Sequence, residues 1–479
     1  MTQVDAVSPF APSLEFFDSS AYTDSSGQSK FSFDIKPDIC VYTEGSGRRG
    51  LTDVARAEII MEFKWHTADD PFCDPYPIGN DPVQQYSFLR DTKAGVDTTG
   101  QITAYAAAQL GSQFRTCVYS VLIVKSWARL IRWDRTGAIV TAPIHYNKSD
   151  KLAEFFRRYH KASPKLRGVD TTVTTPTPDE ARLARICLEA DEKAILVKIT
   201  VPSPNSKMEY VVRAPIASHY TPPGRATRGF EAYDVQRCKK VYVKDTWRVD
   251  LPGIEREGET YELLHKAGVR NLAVCSAAGD ISNHTTVTHH FRNETWACKT
   301  ACELVPHHHY RLVMDTVGLN LTSFPSSSVM LSSVRDAVYC MHFLFVCSGQ
   351  LLILVSLGHK DAVAAGVLHR DISAGNILIA GERGILIDWD LSKRLKKPES
   401  CADMHHADDR QTERSADMLH ADDRQTESSA DTLHVDDRQT ESFADTLHAD
   451  DHQTESCADT LHADDRQTYH TRDTVRQPT

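Results

Sequence analysis

The chain has 479 residues, 41% of them hydrophobic and 25% charged, which allows two or three domains with sizeable cores and excludes a coil or a fibre. Its formal charge of −11 belongs to the tail, where five blocks within residues 401–470 carry −14 and leave the rest near +3. A body so close to neutral gives no electrostatic reason to expect nucleic acid or an acidic membrane as partner.

Residues 1–30 are polar and rich in Ser and Asp, which predicts a disordered start and no secretory signal. Twelve scattered cysteines contain no CxxC pair, as expected of free thiols in a reducing, intracellular compartment, cytoplasm or nucleus. Residues 31–160 read as an α+β unit with its own core. Strand-like runs lie around Asp38 to Tyr42 and Val118 to Val124, an amphipathic stretch runs from Ile102 to Leu110, and Arg129 to Arg135 follows. Residues 161–185 turn to Lys, Pro and Thr and predict a linker.

A second folded region starts at residue 186. Gly224 to Phe230 holds two glycines, Gly224 and Gly229, where a phosphate-covering loop would fall, and Gly229 stands fifteen residues before Lys244. Val241-Tyr242-Val243-Lys244 is a strand-like run ending in a lysine suited to hold the α and β phosphates of a nucleotide. A helix is predicted from Glu257 to Leu264, with Glu257 as partner for Lys244 and Glu259 as the competing choice. His307-His308-His309 reads as a solvated turn, and Tyr310 to Gly318 as a strand and linker whose backbone, at Met314, would meet an adenine.

Leu368 to Ile379 places Asp371 and Asn376 five positions apart in a polar loop that runs into an apolar strand. Phosphoryl transfer needs a carboxylate to orient the attacking hydroxyl and take its proton, and an oxygen ligand for magnesium; Asp371 and Asn376 fit these roles. A second apolar triplet, Ile385-Leu386-Ile387, ends in Asp388, the magnesium ligand of such a site. An HRD tripeptide alone arises by chance. The joint pattern of HRDxxxxN, two apolar triplets and a terminal aspartate is far more specific.

The runs Gly366 to Ser373, Asp388-Trp389-Asp390-Leu391, Lys244-Asp245-Thr246-Trp247-Arg248 and Arg129 to Arg135 together resemble the fungal-type protein kinase family, from about Ile60 to Arg394. The resemblance implies an α+β, protein-kinase-like bilobal fold with an N-terminal extension. It also implies ATP and magnesium as cofactors and transfer to a protein hydroxyl of the Ser/Thr type. The small lobe would span 186–318 and a partial large lobe 319–400. Catalytic roles fall to Asp371, Arg370, Lys244 and Glu257, nucleotide contacts to Gly224, Gly229, Lys244 and Met314, and magnesium to Asn376 and Asp388. Arg370 suits pairing with a phosphorylated activation segment.

Two departures set the alternatives. Residues 339–357 contain no Asp, Glu, Lys or Arg inside what should be one helix, and read as retained intron sequence, an extra buried helix or a membrane anchor. After Arg394 no Ala-Pro-Glu-like motif follows, which favours as alternative a pseudokinase-like scaffold, or a lobe covered by a protein partner. The Asp-Trp-Asp ending also suits a small-molecule phosphotransferase of the aminoglycoside and choline kinase type. The five 14-residue blocks of 401–470 offer too little apolar surface to offset ordering entropy and are expected to be disordered, as is the tail 471–479.

Overall fold

Near-continuous apolar runs, buried on both faces, build the first sheet, and one long helix lets one pair of its strands run parallel. The computed structural model describes residues 10–46, 51–74, 88–203, 206–298, 304–338, 357–381 and 383–395. Strands β1 (Leu14–Asp18), β2 (Ile39–Thr43) and β3 (Ile59–Lys64) are followed by helix α1 (Lys93–Ser112), then β4 (Val118–Val124), β5 (Trp127–Asp134), β6 (Gly137–Val140), β7 (Ile144–His145) and helix α2 (Lys151–Lys161). The sheet runs β1-β2-β3-β4-β5-β6 with β7 also on β5. Only β3 and β4 are parallel, as a helical crossover requires. Thr92 caps α1 by accepting from Gly95 N at 3.2 Å. Ile59, Met61, Val121 and Ile123 pack with Phe156 and Tyr159 of α2. The opposite face meets α1 through Ile60, Tyr105 and Ala108 and through Val118, Leu122 and Leu110.

Residues 10–30 depart from the expected disorder, because Leu14 to Asp18 pairs along its whole length with β2; residues 1–9 lie outside the described residues. The apolar Leu14, Phe16 and Phe17 were hidden in the surrounding Ser and Asp.

The second sheet runs β13-β14-β12-β11-β10-β9-β8. Its strands are β8 (Val173–Thr174), β9 (Leu196–Ser203), β10 (Ser206–Arg213), β11 (Arg228–Asp234), β12 (Lys239–Val249), β13 (Cys275–Thr285) and β14 (His307–Met314). Helix α3 (Pro178–Leu188) precedes β9, and α4 (Glu257–Lys266) links β12 to β13. Residues 161–185 are therefore no plain linker. They hold β8, which extends the sheet, and the start of α3, closed by a Thr177/Glu180 capping box with Pro178 in the first turn. His307 to His309 is likewise not a solvated turn but the start of a central strand, with His307 and His309 buried.

The remainder comprises β15 (Leu319–Asn320), α5 (Ser327–Val338), α6 (Leu357–Ala364), β16 (Val367–Leu368), β17 (Ile377–Ala380), β18 (Arg383–Leu386) and β19 (Lys393–Arg394). One core cluster spans both lobes. It joins Tyr261 and Leu264 of α4 and Met314 of β14 to Ala337 of α5, Ala362 of α6, Ile377, Leu386 and Trp389. No helix among the described residues is long and apolar enough to cross a membrane. The apolar run 339–357 lies outside the described residues except for Leu357, as do the repeats 401–470 and the tail.

Candidate active site

Three chain segments meet at the Lys244 ammonium. Strand β12 carries Lys244 in register with Gly229 of β11 on one side and Leu312 of β14 on the other, so its backbone is held from both edges. The next element, α4, opens with Glu257, an acid where the helix N-terminus favours one. Glu257 Oε2 accepts from Lys244 Nζ at 2.8 Å, and its other oxygen accepts from the Trp389 backbone N–H at 3.2 Å. Glu259 instead faces outward and pairs with Arg256. Asp388, just beyond β18, accepts from Lys244 at 2.5 Å, and Asp390 at 2.9 Å.

The charges explain each other. Lys244 and Glu257 side chains are 7% and 2% exposed, which opposes ionisation of both. Burial works against the Lys244 ammonium, but Glu257 and Asp388 outweigh it and raise its pKa above the ordinary lysine value. Burial likewise opposes the Asp388 carboxylate, and Lys244 overcomes it, holding Asp388 below the usual range.

Beneath these carboxylates lies the loop from Leu368 to Asn376. His369 is fully buried, donates from Nε2 to Ile387 O at 2.9 Å, and meets the Trp389 ring at 4.4 Å between centroids, edge to face. Burial keeps its pKa below the ordinary histidine value. Asn376 Nδ2 donates to Asp371 Oδ2 at 3.0 Å, and Ile387 N donates to Asn376 O at 2.9 Å. Arg370 Nε donates to Leu391 O at 2.6 Å. Arg370 and Asp388 adopt φ of 71° and 65°, a left-handed backbone that costs a non-glycine residue energy and clusters at functional sites.

The glycines behave differently from each other. Gly224 lies in the connection between β10 and β11 with φ +106°, and its N–H donates to Arg135 O, in the turn between β5 and β6, at 2.9 Å. Gly229 is inside β11, and a Cβ there would collide with Tyr242 Oη, so its smallness serves the packing of Tyr242. This corrects the reading of Gly229 as a loop glycine open to a nucleotide. Met314 closes β14, 2% exposed, with Tyr261 Oη 3.5 Å from its sulfur.

Sequence reasoning missed Arg225, whose guanidinium forms an ion pair with Asp390. The signal was thin: one arginine beside Gly224. Its position is set by Trp247 N donating to Arg225 O at 2.8 Å. Arg135 steadies the same connection by donating to Pro222 O at 2.9 Å.

Behind the lysine strand, Asp245 accepts from Arg228, Arg311 and His309 at 2.6, 2.7 and 2.7 Å, and Arg311 reaches Asp170 at 2.6 Å. Asp170, His284 and His309 lie close enough for a metal. The His284 and His309 rings, however, are within 5° of parallel, with centroids 5.4 Å apart and Nδ1 atoms 3.1 Å apart. The nitrogens thus face one another edge to edge, as in an N–H···N hydrogen bond. An ion bound about 2.0 Å from each has no room on that line.

The family model described as fungal protein kinase matches residues 89–413. The chain belongs to this family. The match starts later than Ile60 and runs past Arg394, and with it the α+β, protein-kinase-like fold is established for this fungal-kinase chain. Among solved structures, the ROP18 kinase domain in complex with AMP-PNP and sucrose is similar at 16% identity, over 47% of this chain and 63% of that chain, with a TM-score of 0.24. The chain thus spans less than two thirds of that domain. A search of curated proteins returns no match.

Proposed function

We propose that this fungal-kinase chain binds ATP with magnesium and transfers the terminal phosphoryl group to a Ser or Thr hydroxyl of a protein. The observation that carries the reading is Lys244, bonded at once to Glu257 of the small lobe and to Asp388 of the large lobe. The donors fit the cofactor: Asp388, Asp390 and the Asn376 amide offer hard oxygens, and the Asn376 N–H bonds to Asp371 leave its carbonyl oxygen for a cation. Magnesium and ATP would supply the phosphoryl group and the charge that offsets it during transfer. Asp371 Oδ2 orients the substrate hydroxyl and takes its proton, while Asn376 Nδ2 fixes that carboxylate. Lys244 Nζ holds phosphate oxygens, and Glu257 keeps the ammonium in place. Met314, at the end of β14, marks the backbone that would meet the adenine.

A second reading, a nucleotide-binding scaffold without turnover, is favoured by Arg225 and Lys244 both closing on Asp390. Thermal shift with Mg-ATP on the full chain beside Lys244→Ala and Asp388→Asn tests binding. The expected result is a magnesium-dependent stabilisation lost in both variants; a folded wild type without any shift rules out the nucleotide site. Phosphate transfer to proteins, compared with choline-like alcohols and amino sugars, separates protein kinase from small-molecule kinase and from scaffold.

A further inference from the structure

The first sheet contains a charge arrangement that the kinase site does not use. Strand register pairs Ile39 with Met61, and continued by one residue it sets Asp38 beside Glu62. Like charges directly opposite on neighbouring strands are destabilising. Asp38 Oδ2 is fixed there by the Phe63 N–H at 2.8 Å. Glu62 is only 4% exposed, and its Oε2 is buried with no hydrogen-bond partner among the described residues. A buried, unpartnered carboxyl oxygen beside a second carboxylate calls for a proton or a cation on that side, because burial opposes its charge.

The rest of the cluster is built for one chemistry. Lys64, two residues on and so on the same strand face, donates to Glu62 Oε1 at 2.7 Å and to Gln101 Oε1 at 2.5 Å. Gln101 is oriented by its own donation to Tyr105 Oη at 2.8 Å, one helical turn along α1, and Tyr105 is anchored on Lys36 O at 2.8 Å. Two of the three Lys64 donors are thereby used, and one remains for an anion. Trp65 follows with 80% of its surface exposed, a platform on which a nucleobase can stack. Asp38, Glu62 and Lys64 all precede residue 89, where the kinase-family match begins.

We propose that Asp38, Glu62 and Lys64 form a second site, which binds a divalent cation and hydrolyses nucleic-acid phosphodiesters. Asp38 and Glu62 hold magnesium or manganese, which lowers the pKa of a bound water; that water passes one proton to solvent and its oxygen forms the new bond to phosphorus. The bond from phosphorus to the leaving ribose oxygen breaks, and that oxygen takes a proton from solvent. The products are a phosphomonoester and an alcohol. Lys64 Nζ offsets the charge that grows on the phosphoryl oxygens, and Gln101 and Tyr105 position it. The near-neutral charge of the body disfavours broad nucleic-acid binding, so this reading places recognition in the local cluster and the indole.

The test uses the full chain carrying Asp388→Asn, so that the kinase site contributes no carboxylate at that position. Manganese binding is followed by thermal shift, and cleavage is followed on labelled single-stranded DNA, duplex DNA and RNA. The expected result is manganese-dependent stabilisation and cleavage, both abolished by a chelator and by either Glu62→Gln or Asp38→Asn. Lys64→Met keeps the manganese shift and loses about 100- to 1000-fold in cleavage rate. Without metal, Glu62→Gln melts in one cooperative transition, which shows that it folds. The proposal is overturned by a manganese shift that survives Glu62→Gln, by cleavage that survives it, or by manganese binding with none of the three nucleic acids cut.

Discussion

Asp388 Oδ1 and Lys244 Nζ stand 2.5 Å apart although 144 positions separate them in the chain. That contact joins the end of β18 to the middle of the small-lobe sheet, and Glu257 completes it from α4. Loss of Asp388 leaves Lys244 with Glu257 and Asp390, whereas loss of Lys244 strips the buried Glu257 of its countercharge.

Lys244→Met should therefore cost more than a lost ion pair. It leaves the buried Glu257 carboxylate without its countercharge, at roughly 3 to 5 kcal/mol of stability. Lys244→Met with Glu257→Leu should recover most of that loss while nucleotide binding stays absent. Urea unfolding of the single and double variants checks this; equal stabilities would show that Glu257 does not depend on Lys244.

Gly229→Ala is expected to destabilise by about 1 to 3 kcal/mol, the range for overpacking, because the new methyl meets the Tyr242 hydroxyl and ring. Tyr242→Leu in the same chain should relieve most of it. If Gly229→Ala changes nucleotide affinity but leaves the melting temperature alone, the glycine serves the ligand and not the tyrosine.

What the sequence made legible was local. The Lys244 strand, the α4 helix and the loop from His369 to Asn376 announce themselves by short patterns, and in the structure Lys244 bonds Glu257 and Asn376 bonds Asp371. The choice between Glu257 and Glu259 was not legible, because both suit the first turn and only the direction of the sheet decides between them. Arg225 was hidden because its partner, Asp390, is 165 positions away. Residues 161–185 looked like a linker because the value of Asp170 lies in a buried contact with Arg311 on a distant strand. The three histidines looked solvated for the same reason: Trp247 stacks on His309 at 4.8 Å, and Asp245 accepts a hydrogen bond from its Nε2, neither of which spacing reveals.

His284 and His307 give the fold a defined acid limit. Burial, opposed by Asp170, pushes His284 down to about 4, and burial, opposed by a bond to Val305 O, pushes His307 down to about 4. In the unfolded chain both titrate near 6.5. Between pH 6.5 and 4 the unfolded state binds more protons, so stability falls as pH falls through that window, by roughly 1 kcal/mol per pH unit for each histidine, and is independent of these groups above it. Asp170 and Asp245 act in a separate, lower window. Burial opposes their charge, but Arg311 and the histidines around Asp170, and His309, Arg228 and Arg311 around Asp245, hold both carboxyls below their ordinary value. Their contribution is present above the usual carboxylate pKa near 4 and is lost as pH falls through their folded values. Chemical denaturation at pH 7.5, 6 and 5 should show the first window in the wild type and a flatter slope in His284→Asn and in His307→Asn. Slopes unchanged in both variants would assign the acid sensitivity to other groups.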